Sequence, residues 1–151
     1  VELREQIIAS TREIFTTMVM MDIDVATEVS EEYGRLENTI TGVIGLAGTH
    51  KGVLAVHIPY AVAFAITGNF LGIELQEINE DVEDAIGEIA NMLGGNIKGI
   101  LSEKGRDIAL SLPSTISGSE YDFHSIKGAE KTVIPFNSES GCFFVELQLE
   151  V

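Results

Sequence analysis

Leu3, Ile7, Ile14 and Met18 recur at spacings of three or four residues or their sums, which predicts an amphipathic helix at the start of the chain. That segment closes in an apolar patch, Met18-Val19-Met20-Met21, before Asp22. Two β-rich stretches follow, near Ile23–Val29 and Leu36–Ala47. Gly48-Thr49-His50-Lys51-Gly52 has turn chemistry, and Val53–Ile58 reads as a strand returning from it, so Thr39–Ile58 predicts a hairpin. Pro59 suits the first turn of a helix. Tyr60–Leu71 is almost wholly apolar and is stopped by Gly72, the pattern of a buried helix. The next helix is long, about Asn79 to Lys104. Asn79 is placed to cap it, and Glu80, Asp81, Glu83 and Asp84 complement its dipole. Lys98 and Lys104 lie toward its other end, where Gly105 can close it. Asp107–Leu112 then alternates and stops at Pro113, and Thr132–Phe136 and Cys142–Val151 read as two strands joined by Asn137–Gly141.

Strand pairs that follow one another without a helical crossover imply an antiparallel sheet, so the expected class is α+β, in one domain over residues 1–151. A faint echo runs through the chain: Glu13-Ile14-Phe15-Thr16 precedes one strand set and Glu88-Ile89-Ala90-Asn91 the other, which suggests an internal duplication.

Charge narrows the partners. Nine Lys and Arg stand against 24 Asp and Glu, a net charge of −15. Neutralising phosphates requires clustered Lys and Arg, so nucleic acid is excluded, as is adhesion to anionic membrane. No apolar run is long enough to span a bilayer. The start of the chain is charged and lacks a signal-peptide core, and the lack of an initiator Met suggests that the chain is trimmed. A single cysteine, Cys142, fits a reducing, cytoplasmic setting and is expected to be a buried, inert thiol. His50, His57 and His124 have no metal-ligand spacing, so no metal site is expected. The glycines from Gly42 to Gly48 fail the phosphate-loop spacing, and the acidic run Glu74–Asp84 fails the EF-hand register.

The long helix carries the chemistry. At about 100° per residue, Val82, Ile86, Ile89, Leu93 and Ile97 fall within roughly 80°, a core stripe. Asp84, Glu88, Asn91 and Gly95 fall within roughly 60° on the opposite side. An acidic outer face is ordinarily just a solvated one. Here Asn91 is a poor mid-helix residue, and Gly94-Gly95 costs a further ~2 kcal/mol. Such a helix is either shaped for the close approach of a partner or broken at its glycines. No Lys or Arg occurs from Gly52 to Ile97, so this end of the molecule is strongly negative.

Asp84-Ala85-Ile86-Gly87-Glu88-Ile89-Ala90-Asn91 resembles the [DS]xxxExxN motif of the CheC/CheX/FliY family of bacterial chemotaxis phosphatases. Thr41-Gly42 through Leu54 resembles the family's first hairpin, and Leu112-Pro113-Ser114-Thr115-Ile116-Ser117-Gly118 the segment after its motif helix. CheC-type members carry two ExxN motifs. Here Thr16 stands where the first-half Asn belongs, so the resemblance is closest to CheX, with one active face. It implies an antiparallel sheet packed on long helices and a homodimer. It further implies hydrolysis of the aspartyl phosphate of a CheY-type response regulator, within the regulator's own Mg²⁺ site. By resemblance Asn91 orients the attacking water, Glu88 pairs with the regulator's Lys, Asp84 is a secondary contact and Gly95 gives clearance. No metal or cofactor is expected on this chain. The same scaffold also resembles flagellar-switch components, so a non-catalytic regulator-binding domain is the alternative.

Overall fold

The computed structural model describes residues 3–27, 30, 32–102 and 106–150. Val29 of the expected first strand, Lys104 and Gly105 at the expected helix end, and Val151 lie outside the described residues. The elements run α1 (Leu3–Ile14), a π-helical turn (Phe15–Val19), β1 (Asp24–Val25), β2 (Leu36–Gly48), β3 (Gly52–Pro59), α2 (Tyr60–Leu71), α3 (Glu80–Leu101), β4 (Ile108–Leu110), β5 (Ser114–Tyr121), β6 (Glu130–Ser138) and β7 (Gly141–Leu149). All strand pairings are antiparallel, in the order β1-β6-β7-β3-β2, with β4 and β5 both pairing β2. The class is the expected α+β.

The predicted hairpin is present, with Thr41 opposite His57 and Gly42 opposite Val56. Its inward residues, Ile40, Ile44, Leu54, Val56 and Ile58, join Phe136, Phe143, Val145 and Leu147 in a core closed by the helices. The sheet order has a two-fold logic. Hairpin β2–β3 and hairpin β6–β7 meet at the β3–β7 pair, and each takes a strand from the other half of the chain as its neighbour. The helix of each half lies on the first strand of the opposite half's hairpin: α1 touches β6 and α3 touches β2. Glu13 and Thr16 are exposed while Ile14 and Phe15 are buried, the same order as Glu88, Ile89, Ala90 and Asn91. The duplication read from the sequence echo is therefore visible in topology and in burial.

Helix α3 sits unusually close to β2. A Cβ on Gly42 would lie 3.1 Å from both the Ala90 Cβ and the Ile86 carbonyl oxygen, and one on Gly94 would lie 3.2 Å from Ile44 Cγ2. Val82, Ile86, Ile89, Leu93 and Ile97 are all fully buried. Burying five such side chains, at about 1.5–3 kcal/mol each, outweighs the ~2 kcal/mol propensity cost of Gly94 and Gly95 several-fold. The helix accordingly runs unbroken through both glycines. At its start the Asn79 side chain accepts a hydrogen bond from the Val82 N–H at 3.1 Å.

The opposite face of the sheet carries a buried polar layer. His57 Nε2 lies 2.8 Å from Glu146 Oε1, and His57 Nδ1 lies 2.8 Å from Thr41 Oγ1. Glu146 also accepts hydrogen bonds from the Tyr33 hydroxyl and from Gln148 Nε2. Tyr33 and Phe123 cover the His57 ring, with centroids at 4.6 and 4.8 Å.

Four expectations need correction. Met18 is 54% exposed, not part of the core stripe. The π-helical turn, with its wider i→i+5 closure, rotates less per residue and brings Phe15 and Val19 inward instead. Helix α2 is not buried all round: Val62, Ala63, Ile66 and Thr67 face the core, but Ala61 and Leu71 are exposed. Cys142 is half-buried, and burial raises its thiol pKa. Strand β5 was not expected at all, because its residues are mostly polar or small and show no polar–apolar alternation. It pairs along most of the outer edge of β2.

Candidate functional site

The close seat of α3 on β2 fixes which of its faces points outward. With the core stripe turned down, Asp84, Glu88, Asn91 and Gly95 are all exposed. Glu88 and Asn91 stand one turn apart, so a carboxylate and a carboxamide are presented side by side. Neither side chain makes a hydrogen bond or ion pair with another described residue. Among the described residues nothing therefore holds either side chain, and both can engage a group brought from outside.

They line an open groove of about 750 Å³. Asp84, Glu88 and Asn91, with Glu80, Glu83 and Gly87, form its α3 wall, and Leu112, Pro113 and Thr115 form the other. Three of the four expected site residues thus come together in one groove. Gly95 shares their face but is not among the lining residues. A Cβ on Gly95 would meet nothing within 4 Å, so the helix surface there is bare. The glycines of the pair therefore do different things: Gly94 lets α3 pack on Ile44, and Gly95 leaves open space.

Sequence reasoning missed the second wall of the groove. Leu112-Pro113-Ser114-Thr115-Ile116-Ser117-Gly118 stands out in the sequence only by its resemblance to a family segment, although Leu112 is 86% exposed. An isolated leucine before a proline, flanked by serines on both sides, was the available signal. The corner is firmly held. Ser111 N–H donates to the Gly45 carbonyl at 2.9 Å, the Gly45 N–H donates to Ser111 Oγ at 2.8 Å, and Ser111 Oγ donates to the Leu112 carbonyl at 2.9 Å. On the other flank of α3, Phe70 and Leu71 from the end of α2 meet Asp81, Asp84, Ala85 and Glu88 in a shallow hollow of about 250 Å³.

The site is acidic, and among the described residues no three His, Cys, Asp or Glu side chains converge to hold a metal ion. Among the described residues no helix is long and apolar enough to cross a membrane. The groove is open rather than enclosed. The arrangement suits inserting an acceptor–donor pair into a partner's site better than enclosing a small molecule.

The family model described as "Chemotaxis phosphatase CheX" matches residues 40–137, a span that contains α3 and the groove. Among solved structures, the chemotaxis protein CheX from Vibrio vulnificus is 29% identical, with a TM-score of 0.82 over 96% of this chain and 97% of that one. A CheX from Desulfovibrio desulfuricans is 27% identical, with a TM-score of 0.84 over 99% of this chain and 100% of that one. A structure of a CheX–CheY–BeF₃–Mg²⁺ complex from Borrelia burgdorferi shares the fold at 16% identity, with a TM-score of 0.75 over 100% of this chain and 99% of that one. No curated protein matches the sequence.

Proposed function

The chain belongs to the CheX family of chemotaxis phosphatases, and from that premise we propose that it hydrolyses the aspartyl phosphate of a CheY-type response regulator. The observation that carries the proposal is the pair Glu88 and Asn91, exposed, unpartnered and one turn apart on a rigid helix. An aspartyl phosphate is an activated acyl phosphate. Its hydrolysis needs a water held in line, and charge stabilisation on the phosphoryl oxygens. The regulator supplies the second requirement through its own Mg²⁺ and Lys. The Asn91 carboxamide supplies the first: its carbonyl accepts a hydrogen bond from the water and its NH₂ donates to a phosphoryl oxygen.

Glu88 offers a carboxylate to the regulator's Lys, which both steers the encounter and fixes its register. Asp84 adds negative charge one turn earlier, and the bare surface at Gly95 leaves room for the partner's backbone. No metal or cofactor is assigned to this chain; the Mg²⁺ is the regulator's. That a protein of the same fold has been crystallised with CheY, BeF₃ and Mg²⁺ agrees with such docking. The protein acts in the cytoplasm as a homodimer in this reading, and its output is chemotaxis or a related two-component pathway.

The test separates the two side chains. Glu88→Ala should chiefly raise the KM for the phosphorylated regulator, and the loss should shrink at high salt, where charge pairing is screened. Asn91→Ala should chiefly lower kcat, by roughly 10²-fold. A regulator that binds but loses phosphate no faster than alone would mark the protein as a binding module instead. A solution mass showing only monomer at micromolar concentration would refute the dimer.

A further inference from the structure

We infer that Leu71 and Leu112 are apolar anchors that seat the phosphorylated regulator on either side of the acidic ridge of α3. The inference rests on the proposed reading and names contacts that the ExxN motif does not contain. Three observations carry it. Leu112 is 86% exposed and Leu71 50%, which makes them the large apolar groups at the two flanks of Glu88. On the helix wheel the groove walled by Leu112 takes the Gly87–Asn91 side of α3, whereas the hollow walled by Leu71 takes the Asp81–Ala85 side. Asp84 and Glu88 line both, so the carboxylates sit between two apolar shoulders.

The second observation is rigidity. Leu112 does not ride on a loose loop. Pro113 restricts its backbone to extended geometry, and the Ser111 corner is bonded to β2 on both sides of Gly45. Leu71 is the last residue of α2, whose end is closed by Gly72 at φ 70°, with the Gly72 N–H donating to the Gly68 carbonyl at 2.7 Å. A backbone already fixed on both flanks spares docking the cost of ordering loops, leaving only the rotamer freedom of the two leucines to be lost.

Charge decides the occupant. The ridge carries Glu80, Glu83, Asp84 and Glu88, and the chain has no Lys or Arg from Gly52 to Ile97. A second copy docking face to face would bring the same acidic ridge and be repelled, as would nucleic acid or an anionic membrane. A partner must present a cation framed by apolar surface. A receiver domain supplies the cation through its active-site Lys, and apolar surface beside that Lys is what the two leucines would require of it.

The experiment titrates wild-type protein, Leu112→Ser, Leu71→Ser and a control, Met18→Ser, with a CheY-type regulator held in its beryllofluoride–Mg²⁺ form. Met18, on the π-helical turn, is 54% exposed but lines neither the groove nor the hollow. Leu112→Ser and Leu71→Ser should each weaken binding about tenfold, as truncation of an interface anchor does. Met18→Ser should bind like wild type, and melting temperature and solution mass should not move in any variant. Wild-type binding that is untouched by either leucine change overturns this inference and leaves the phosphatase reading standing. Failure of the wild type itself to bind overturns the reading and the inference together. A leucine change that alters the solution mass overturns the inference too, because the face would then be a contact between copies.

Discussion

The two adjacent glycines of α3 should respond in opposite ways to the same substitution. In a helix interior Gly→Ala gains about 0.8–1 kcal/mol of propensity. At Gly95 the added Cβ meets nothing within 4 Å, so that gain should appear in full. For a chain of 151 residues, about 1 kcal/mol corresponds to a rise of about 2–4 °C in melting temperature. At Gly94 the added Cβ would lie 3.2 Å from Ile44 Cγ2, inside a packed layer that must shift to admit it. Gly94→Ala should therefore melt at or below the wild-type temperature. A longer neutral side chain completes the comparison. Gly95→Gln should also raise the melting temperature, yet weaken binding of the regulator, because it fills the space a partner's surface is expected to use. Calorimetry and a binding titration on the three variants check this. If Gly95→Ala lowers the melting temperature, the site is not open. If Gly95→Gln stabilises the fold and binds the regulator as well as wild type, the clearance role is wrong.

Other parts of the molecule give further expectations. Burial alone would raise the Glu146 carboxyl pKa, but hydrogen bonds from His57, Tyr33 and Gln148 together carry it below its ordinary value of 4.5. A depressed pKa contributes stability that is present above the unfolded value and lost as pH falls through the folded one. Glu146→Gln should cost about 1–3 kcal/mol near neutrality, because its NH₂ would face Gln148 Nε2 while Gln148 Oε1 is held by the Ile126 N–H at 2.6 Å. The gap to wild type should narrow as the pH drops below 4.5 in denaturation curves; a gap constant across that range would contradict the assignment. Asn79→Ala should cost about 1 kcal/mol, since it removes the acceptor of the Val82 N–H, and urea unfolding would register this as a lower midpoint at unchanged slope.

Much of this architecture was legible in the pattern of residues. The stripe Val82, Ile86, Ile89, Leu93 and Ile97 placed Glu88 and Asn91 on the outside with no structure in hand, because a helix of known period leaves one answer for the opposite face. The hairpin was legible because its alternation and its turn agree. Two things were hidden. The π-helical turn exchanges Met18 for Val19, and no residue pattern in Phe15–Val19 announces a change of winding. Strand β5 owes its existence to the free edge of β2 rather than to its own side chains, so Ser114-Thr115-Ile116-Ser117-Gly118 carries no alternation to read. The groove's second wall was hidden too, because only the folded chain brings Leu112, Pro113 and Thr115 beside α3. The fate of Gly94-Gly95 could not be read either. Whether a helix breaks at two glycines depends on how much burial spans them, and here Leu93 and Ile97 lie on both sides, fully buried.

The central claim is that Asn91 completes a hydrolytic site belonging to another protein. The measurement that reaches it most directly is the rate of aspartyl-phosphate loss from a CheY-type regulator with Mg²⁺ present, followed with no addition, with this protein, and with its Asn91→Ala variant. The account predicts acceleration by the wild type and, for the variant, a rate roughly 10²-fold slower that approaches the regulator's own. Removing an exposed Asn from a helix interior should leave the fold as stable or slightly more so. Equal acceleration by wild type and variant would contradict the role of Asn91, and a wild type that binds the regulator without accelerating loss would contradict the hydrolytic claim itself.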